Sequence, residues 1–191
     1  MKRVLLSCLI STAICLPALA ALKDGDSAPD FTTQASLAGK EFKFSLKESL
    51  KKGPVVVYFY PSAYTQGCNV QAHTFSVNQE KFAAAGASVV GVSLDSIQRL
   101  NQFSADPEYC AGKFPVASDA NGSIAKSYDL NVKQIAGLKD TKGNEVDHGL
   151  AERTTFVVTP DGKIAATIGG MTPTENVMKA LEAVQHLQAK S

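Results

Sequence analysis

The chain has 191 residues, 45% of them apolar, with 19 basic against 18 acidic side chains. That size and apolar share suffice for one domain with a buried core. A near-neutral charge without a long basic run excludes nucleic acid as an expected partner, and no repeat, low-complexity tract or linker divides the sequence.

Residues 1 to 20 read as a secretory signal. Lys2 and Arg3 form the basic start, Val4 to Leu16 the apolar core, and Ala18-Leu-Ala20 the small-residue cleavage site. Cleavage after Ala20 makes residues 21 to 191 the mature, single-domain protein, periplasmic or otherwise exported and free of the membrane. The competing readings are weaker. The apolar stretch is short of the roughly 18 residues that a membrane span needs, and lipid attachment at Cys8 would cut the apolar core in half. Losing the leader removes two of the 19 basic residues, so the mature chain stays close to neutral. Cys8 and Cys15 leave with it, and Cys68 and Cys110 remain as the mature thiols in a compartment where disulfides persist. A structural bond between those two is the plain alternative to any chemistry.

Along the mature chain, Phe31 to Thr33 and Glu41 to Phe44 form a predicted hairpin around Gly39-Lys40, and Ser45 caps a short helix through Leu50. Val55 to Tyr60 is a continuous apolar run with β-branched and aromatic members, the pattern of a central strand covered on both faces. Pro61 ends it. From Cys68 to Ala85 no Pro or Gly intervenes, and Ala72, Phe75 and Phe82 share one side at helical spacing. Ser88 to Leu94 is the next strand, followed by a helix capped at Asp95 or Ser96 that carries Ile97, Leu100 and Phe103. A short strand at Phe114 to Ala117 and a helix at Ser123 to Tyr128 follow, while 130 to 148 is polar and without period. Thr154 to Thr159, the turn Pro160-Asp-Gly162, and Lys163 to Ile168 make a second hairpin. A last helix from Pro173 sets Val177, Leu181 and Val184 on one stripe.

Strand, helix, strand, helix implies a parallel crossover, and the closing hairpin with its helix completes the order of a thioredoxin-like α/β fold. The expectation is a mixed central sheet flanked by helices, extended by the N-terminal hairpin. In that frame Cys68 is delivered from a buried strand to the first turn of a helix. Free N–H groups and the positive end of the helix dipole favour a thiolate there.

Pro61-x-x-x-Thr65-x-x-Cys68, set between a buried strand and a helix, resembles the peroxidatic signature of the peroxiredoxins. Arg153-Thr-Thr-Phe-Val-Val158 is similar to the strand that carries that family's arginine. The likeness spans nearly the whole mature chain, and the element order is most like the bacterioferritin-comigratory branch. The resemblance implies a thiol peroxidase that reduces hydrogen peroxide or small alkyl hydroperoxides without metal, haem or flavin, and the expected leader makes it an exported one. It is regenerated by a thioredoxin-like reductant, and monomer and dimer are left open. Carried over residue by residue, Cys68 is the nucleophile, Thr65 a hydroxyl on the peroxide, Pro61 a cover over the sulfur, and Arg153 the cation beside it. A thiolate attacking one peroxide oxygen in line needs donors on the oxygen that leaves, and Arg153, Thr65 and the helix-start amides are the candidates. Each has a plainer reading: Thr65 as a cap, Pro61 as a strand end, Arg153 paired with Glu152 or another carboxylate.

The sequence departs from the branch at one place. Many members carry a resolving cysteine five positions after the nucleophile, where this chain has His73. Cys110, in Asp106-Pro-Glu-Tyr-Cys-Ala-Gly112, lies where other relatives keep a resolving thiol, so the implied partner for a Cys68 sulfenic acid is Cys110, reached after local loosening. His73 and His148 are weak metal candidates, since Cys68 and His73 point about 140° apart on a helix. His186 sits near the last helix terminus. The competing functions are a thiol-disulfide oxidoreductase, which lacks its usual C-x-x-C here, and a binding domain stapled by a disulfide.

Overall fold

The computed structural model describes residues 21–190, so the expected leader at 1 to 20 lies outside the described residues. Residues Thr32–Leu37 (β1) and Lys40–Ser45 (β2) pair antiparallel down to Leu37 opposite Lys40. Both strands run longer than the sequence suggested, because the turn falls at Ala38-Gly39. Each adopts a positive φ, 51° and 77°, which is the twist that matches a tight two-residue hairpin. After the short helix α1 (Leu46–Leu50), capped by the Ser45 hydroxyl, come β3 (Val55–Phe59), α2 (Gln66–Ala84), β4 (Ser88–Ser93) and α3 (Ile97–Ala105). Then follow β5 (Val116–Ser118), α4 (Ser123–Ser127), β6 (Val132–Lys133), β7 (Leu150–Ala151), β8 (Thr154–Val158), β9 (Ile164–Gly169) and α5 (Pro173–Gln188).

The main sheet has seven strands in the order β2-β1-β5-β4-β3-β8-β9. β3, β4 and β5 are parallel neighbours, and β1, β8 and β9 join antiparallel. The mixed, helix-flanked sheet is the thioredoxin-like arrangement expected, with the first hairpin added to its edge beside β5. β3 sits at the centre, and its alternate residues divide two cores. Val56, Tyr58 and Tyr60 face a cluster with Phe75, Phe103 and Val184, while Val55, Val57 and Phe59 face one with Leu46, Ile124 and Phe156. Gly91 of β4 is what lets Tyr58 lie flat on the sheet, since a Cβ there would stand 2.6 Å from the Tyr58 ring. No helix among the described residues is long and apolar enough to cross a membrane.

The stretch without period at 130 to 148 holds the small β6–β7 ladder and a run of turns. It is anchored by polar contacts to the loop before α2 and to α3, which is why apolar spacing gave no sign of its structure.

Candidate active site

The site begins where β3 stops. Pro61 to Thr65 cross from the end of that strand to the start of α2, with Thr65 in the N-cap position and Cys68 third in the helix. The crossing is tight: Tyr64 takes φ 62°, a left-handed conformation that costs a bulky residue energy unless its surroundings hold it. They do. The Tyr64 carbonyl accepts from the Thr141 amide at 2.9 Å and hydroxyl at 2.7 Å, and Lys142 Nζ lies 3.6 Å from the ring centre.

Cys68 is buried at 1% exposure, and Arg153 Nη2 approaches its sulfur at 3.4 Å. Arg153 arrives from the connection between β7 and β8, and the plainer reading that it pairs with Glu152 does not hold: Glu152 accepts from Asn131 instead, at 3.0 Å. The other guanidinium nitrogen, Nη1, donates to Gln71 Oε1. Gln71 in turn donates to Asn176 Oδ1 at 2.9 Å, where Thr155 also donates, and Asn176 donates to the Ile168 carbonyl at 2.9 Å. Three elements thus aim one cation at one sulfur. Gly67 completes the fit, because a Cβ at that position would lie 3.1 Å from Arg153 Nη2.

Thr65 departs from expectation in one respect. Its hydroxyl makes no cap bond to the helix and donates to the Ser62 carbonyl at 2.8 Å, so toward a bound peroxide it can only accept. Donors for a leaving oxygen are then left to Arg153 and the free amides of the first helical turn. Pro61 and Arg153 border a cavity of about 310 Å³ that Ile135, Leu150 and Ala151 line with apolar surface.

Cys110 is also buried and unbonded, in the same core as Cys68. Burial pushes its thiol well above the ordinary range, and the charge of Asp106 adds to that. It sits in a coil of turns after α3, where Ala111 and Gly112 take positive φ and His73 Nδ1 lies 2.9 Å from the Glu108 carbonyl. The residue at the position of the missing cysteine therefore touches the segment that carries the other one. Among the described residues no group of three or more His, Cys, Asp and Glu side chains is placed to hold a metal ion.

The profile of the AhpC/TSA family matches residues 25–167. The chain belongs to that family, the peroxiredoxins. It is 32% identical over 147 residues to the Mycobacterium tuberculosis protein MT1643, named as a peroxiredoxin, covering 77% of this chain and 85% of that one. Among solved structures, peroxidoxin BcpB of M. tuberculosis superposes with a TM-score of 0.73 at 29% identity, over 87% of this chain and 98% of the other. The bacterioferritin comigratory protein of Xanthomonas campestris, a structure described in terms of alkyl peroxide reduction, gives 0.64 at 26%, over 81% and 91%. The peroxiredoxin likeness read from the sequence, including its bacterioferritin-comigratory leaning, is thereby borne out, and the chain is a thiol peroxidase.

Proposed function

We propose that this peroxiredoxin is exported, that Cys68 attacks hydrogen peroxide or small alkyl hydroperoxides, and that Cys110 resolves the product. The 3.4 Å contact between Arg153 and the Cys68 sulfur carries the reading. In the first step the Cys68 thiolate attacks the hydroxyl oxygen of the peroxide. The S–O bond forms as the O–O bond breaks, the sulfur is oxidised to sulfenic acid, and the departing oxygen leaves as hydroxide or alkoxide and takes a proton from water. Arg153 and the first-turn amides donate to that departing oxygen, Thr65 Oγ1 accepts the O–H of the attacked one, and Pro61 screens the sulfur from bulk water. The apolar lining beside Arg153 suits an alkyl group, in keeping with the alkyl peroxide reduction ascribed to the Xanthomonas relative.

In the second step the Cys110 sulfur bonds to the Cys68 sulfur and water is lost. A thioredoxin-like dithiol then reduces the disulfide by exchange. Since both thiols are free and buried, and burial keeps Cys110 protonated, this step waits on loosening of the turns around Asp106 to Gly112. The same burial favours a second reading, in which Cys110 stays inert and an external thiol resolves Cys68. Export rests on the signal-like residues 1 to 20.

Mass spectrometry after one equivalent of hydrogen peroxide separates the two. A Cys68–Cys110 disulfide supports the first, and a persistent sulfenic acid or mixed disulfide supports the second. Peroxide consumption that survives in Cys68→Ser overturns both.

A further inference from the structure

Behind the catalytic loop lies a buried polar cluster with no part in the steps above. The carboxylate of Asp95, fully buried at the end of β4, accepts from the Ser62 hydroxyl at 2.9 Å and the Ala63 amide at 2.8 Å, both in the turn before α2. Ser93 Oγ donates to it at 2.7 Å. Arg99 Nε lies 2.9 Å away as an ion-pair contact out of line for a hydrogen bond, and Arg99 also donates to Asp140 at 2.7 Å. On the remaining side is His148.

The surroundings of the His148 ring favour its charged form. Nε2 lies 2.9 Å from Asp95 Oδ1 and Nδ1 lies 2.8 Å from the Gly149 carbonyl, so each nitrogen has an accepting oxygen within hydrogen-bond reach. A neutral imidazole carries one N–H and satisfies one of the two; the imidazolium satisfies both. Ser62 Oγ stands 3.3 Å from the same Nε2. If the ring loses its Nε2 proton, the Ser62 hydroxyl can turn its hydrogen from Asp95 to the exposed nitrogen lone pair. Asp95 then loses its His148 bond and its Ser62 bond, and holds the turn through the Ala63 amide alone. The backbone of Ser62 leads straight to the site, because its carbonyl accepts the Thr65 hydroxyl at 2.8 Å.

We propose that Asp95 and a protonated His148 are positioning residues for Cys68. They fix Ser62, Ser62 aims the Thr65 hydroxyl, and loss of the His148 proton slows attack on peroxide. This rests on the reading of Cys68 as the peroxidatic thiol. The groups facing His148 agree with the cationic ring. Asp95 touches it, Asp147 lies beside it on its own segment, Asp140 stands beyond Arg99, and the buried hydroxyl of Tyr60 is near Asp95. Asp95 and Asp140 against Arg99 and His148 make a balanced set of four charges only while the imidazole is protonated. Burial by itself would lower the imidazole's pKa, but the hydrogen bond and charge of Asp95, the Gly149 carbonyl and Asp147 raise it above the ordinary value.

The test follows the single-turnover rate of Cys68 oxidation by hydrogen peroxide against pH. The chain has no Trp, so rapid quenching with an alkylating reagent and mass analysis read the reaction. The wild-type rate is expected to fall about tenfold as His148 deprotonates, the weight of one charge-assisted hydrogen bond. His148→Gln keeps an N–H toward Asp95 and cannot titrate, so the alkaline fall disappears. Persistence of the fall in that variant, or its absence from the wild type, overturns the proposal. Should the variant fail to fold, NMR of the wild type decides. The His148 ring signals and the Ala63 amide are expected to shift together with one midpoint above about 6.5, the ordinary histidine value, and independent or lower midpoints overturn it. Peroxide consumption retained in Cys68→Ser overturns the underlying reading instead, and it is distinguished by leaving the NMR titration intact.

Discussion

Arg153 and Gln71 are hydrogen-bonded partners, joined by the guanidinium nitrogen that does not face the Cys68 sulfur. Gln71 is itself tied to Asn176, so the direction of the cation is set from α5 as well as from α2. Gln71→Ala leaves Arg153 charged but free to swing. The peroxide rate should fall about ten- to a hundredfold with little change in reductant KM, since what is lost is orientation of a donor to the transition state. Steady-state kinetics with varied peroxide and varied reductant check this.

Asn176→Leu removes the centre of a buried network and takes away the acceptor of the Gln71 side-chain N–H and the Thr155 hydroxyl and the side-chain donor to the Ile168 carbonyl, while Gln71 keeps its bond from Arg153. It should cost about 2 to 4 kcal/mol of stability, because each buried polar group left unpaired carries a desolvation penalty. Urea unfolding measures it, and the peroxide rate should fall as well.

Gly67→Ala separates stability from activity. A helical Gly exchanged for Ala gains up to about 1 kcal/mol in propensity, and here φ is not in the left-handed range. The new methyl would stand 3.1 Å from Arg153 Nη2 and 3.5 Å from Pro173 Cγ, so the guanidinium must give way. The variant should melt at or above the wild-type temperature while reacting with peroxide at least about tenfold more slowly, the size of effect that follows from displacing a preorganised donor.

The buried charges also set a pH range for stability. Burial raises the Asp95 carboxyl, but His148, the Ala63 amide and Ser93 outweigh it and hold the group below its ordinary value. For Asp140, burial is likewise outweighed by Arg99 and Asn144. Groups depressed in the folded state contribute stability above about pH 4 that is lost as pH falls through their folded values. His148 is raised, so its contribution is complete below about pH 6.5 and is lost as pH climbs through the folded value. Calorimetry across pH should therefore show Tm declining at both ends, and His148→Gln should flatten the alkaline decline.

The framework was legible because it is written in local patterns. The apolar run of β3, the helical stripe of α2 and the Pro-Asp-Gly turn each carry their own period. Cys68, Thr65 and Pro61 could be placed by a motif eight residues long. Arg153 was reached through the strand that follows it, and the structure brings it to the sulfur. Gln71 was missed although it left a trace, being a polar residue three positions from Cys68 on the inward stripe beside Ala72 and Phe75. Asn176, beside Val177 on the core face of α5, left the same kind of trace. Asp95 and His148 left none. They are 53 positions apart, and charge pairing across a turn-rich segment has no period to read, so His148 was weighed only as a metal ligand. The hydrogen-bonding direction of Thr65 was equally illegible, because it depends on where one carbonyl points.

The most direct measurement is the second-order rate of Cys68 oxidation by hydrogen peroxide in Arg153→Met against the wild type, with circular dichroism to establish that the variant is folded. A folded variant slowed by a factor of about 100 or more is predicted, the typical loss of a transition-state donor. A folded variant that reacts at the wild-type rate would contradict a mechanism built on the guanidinium at that sulfur.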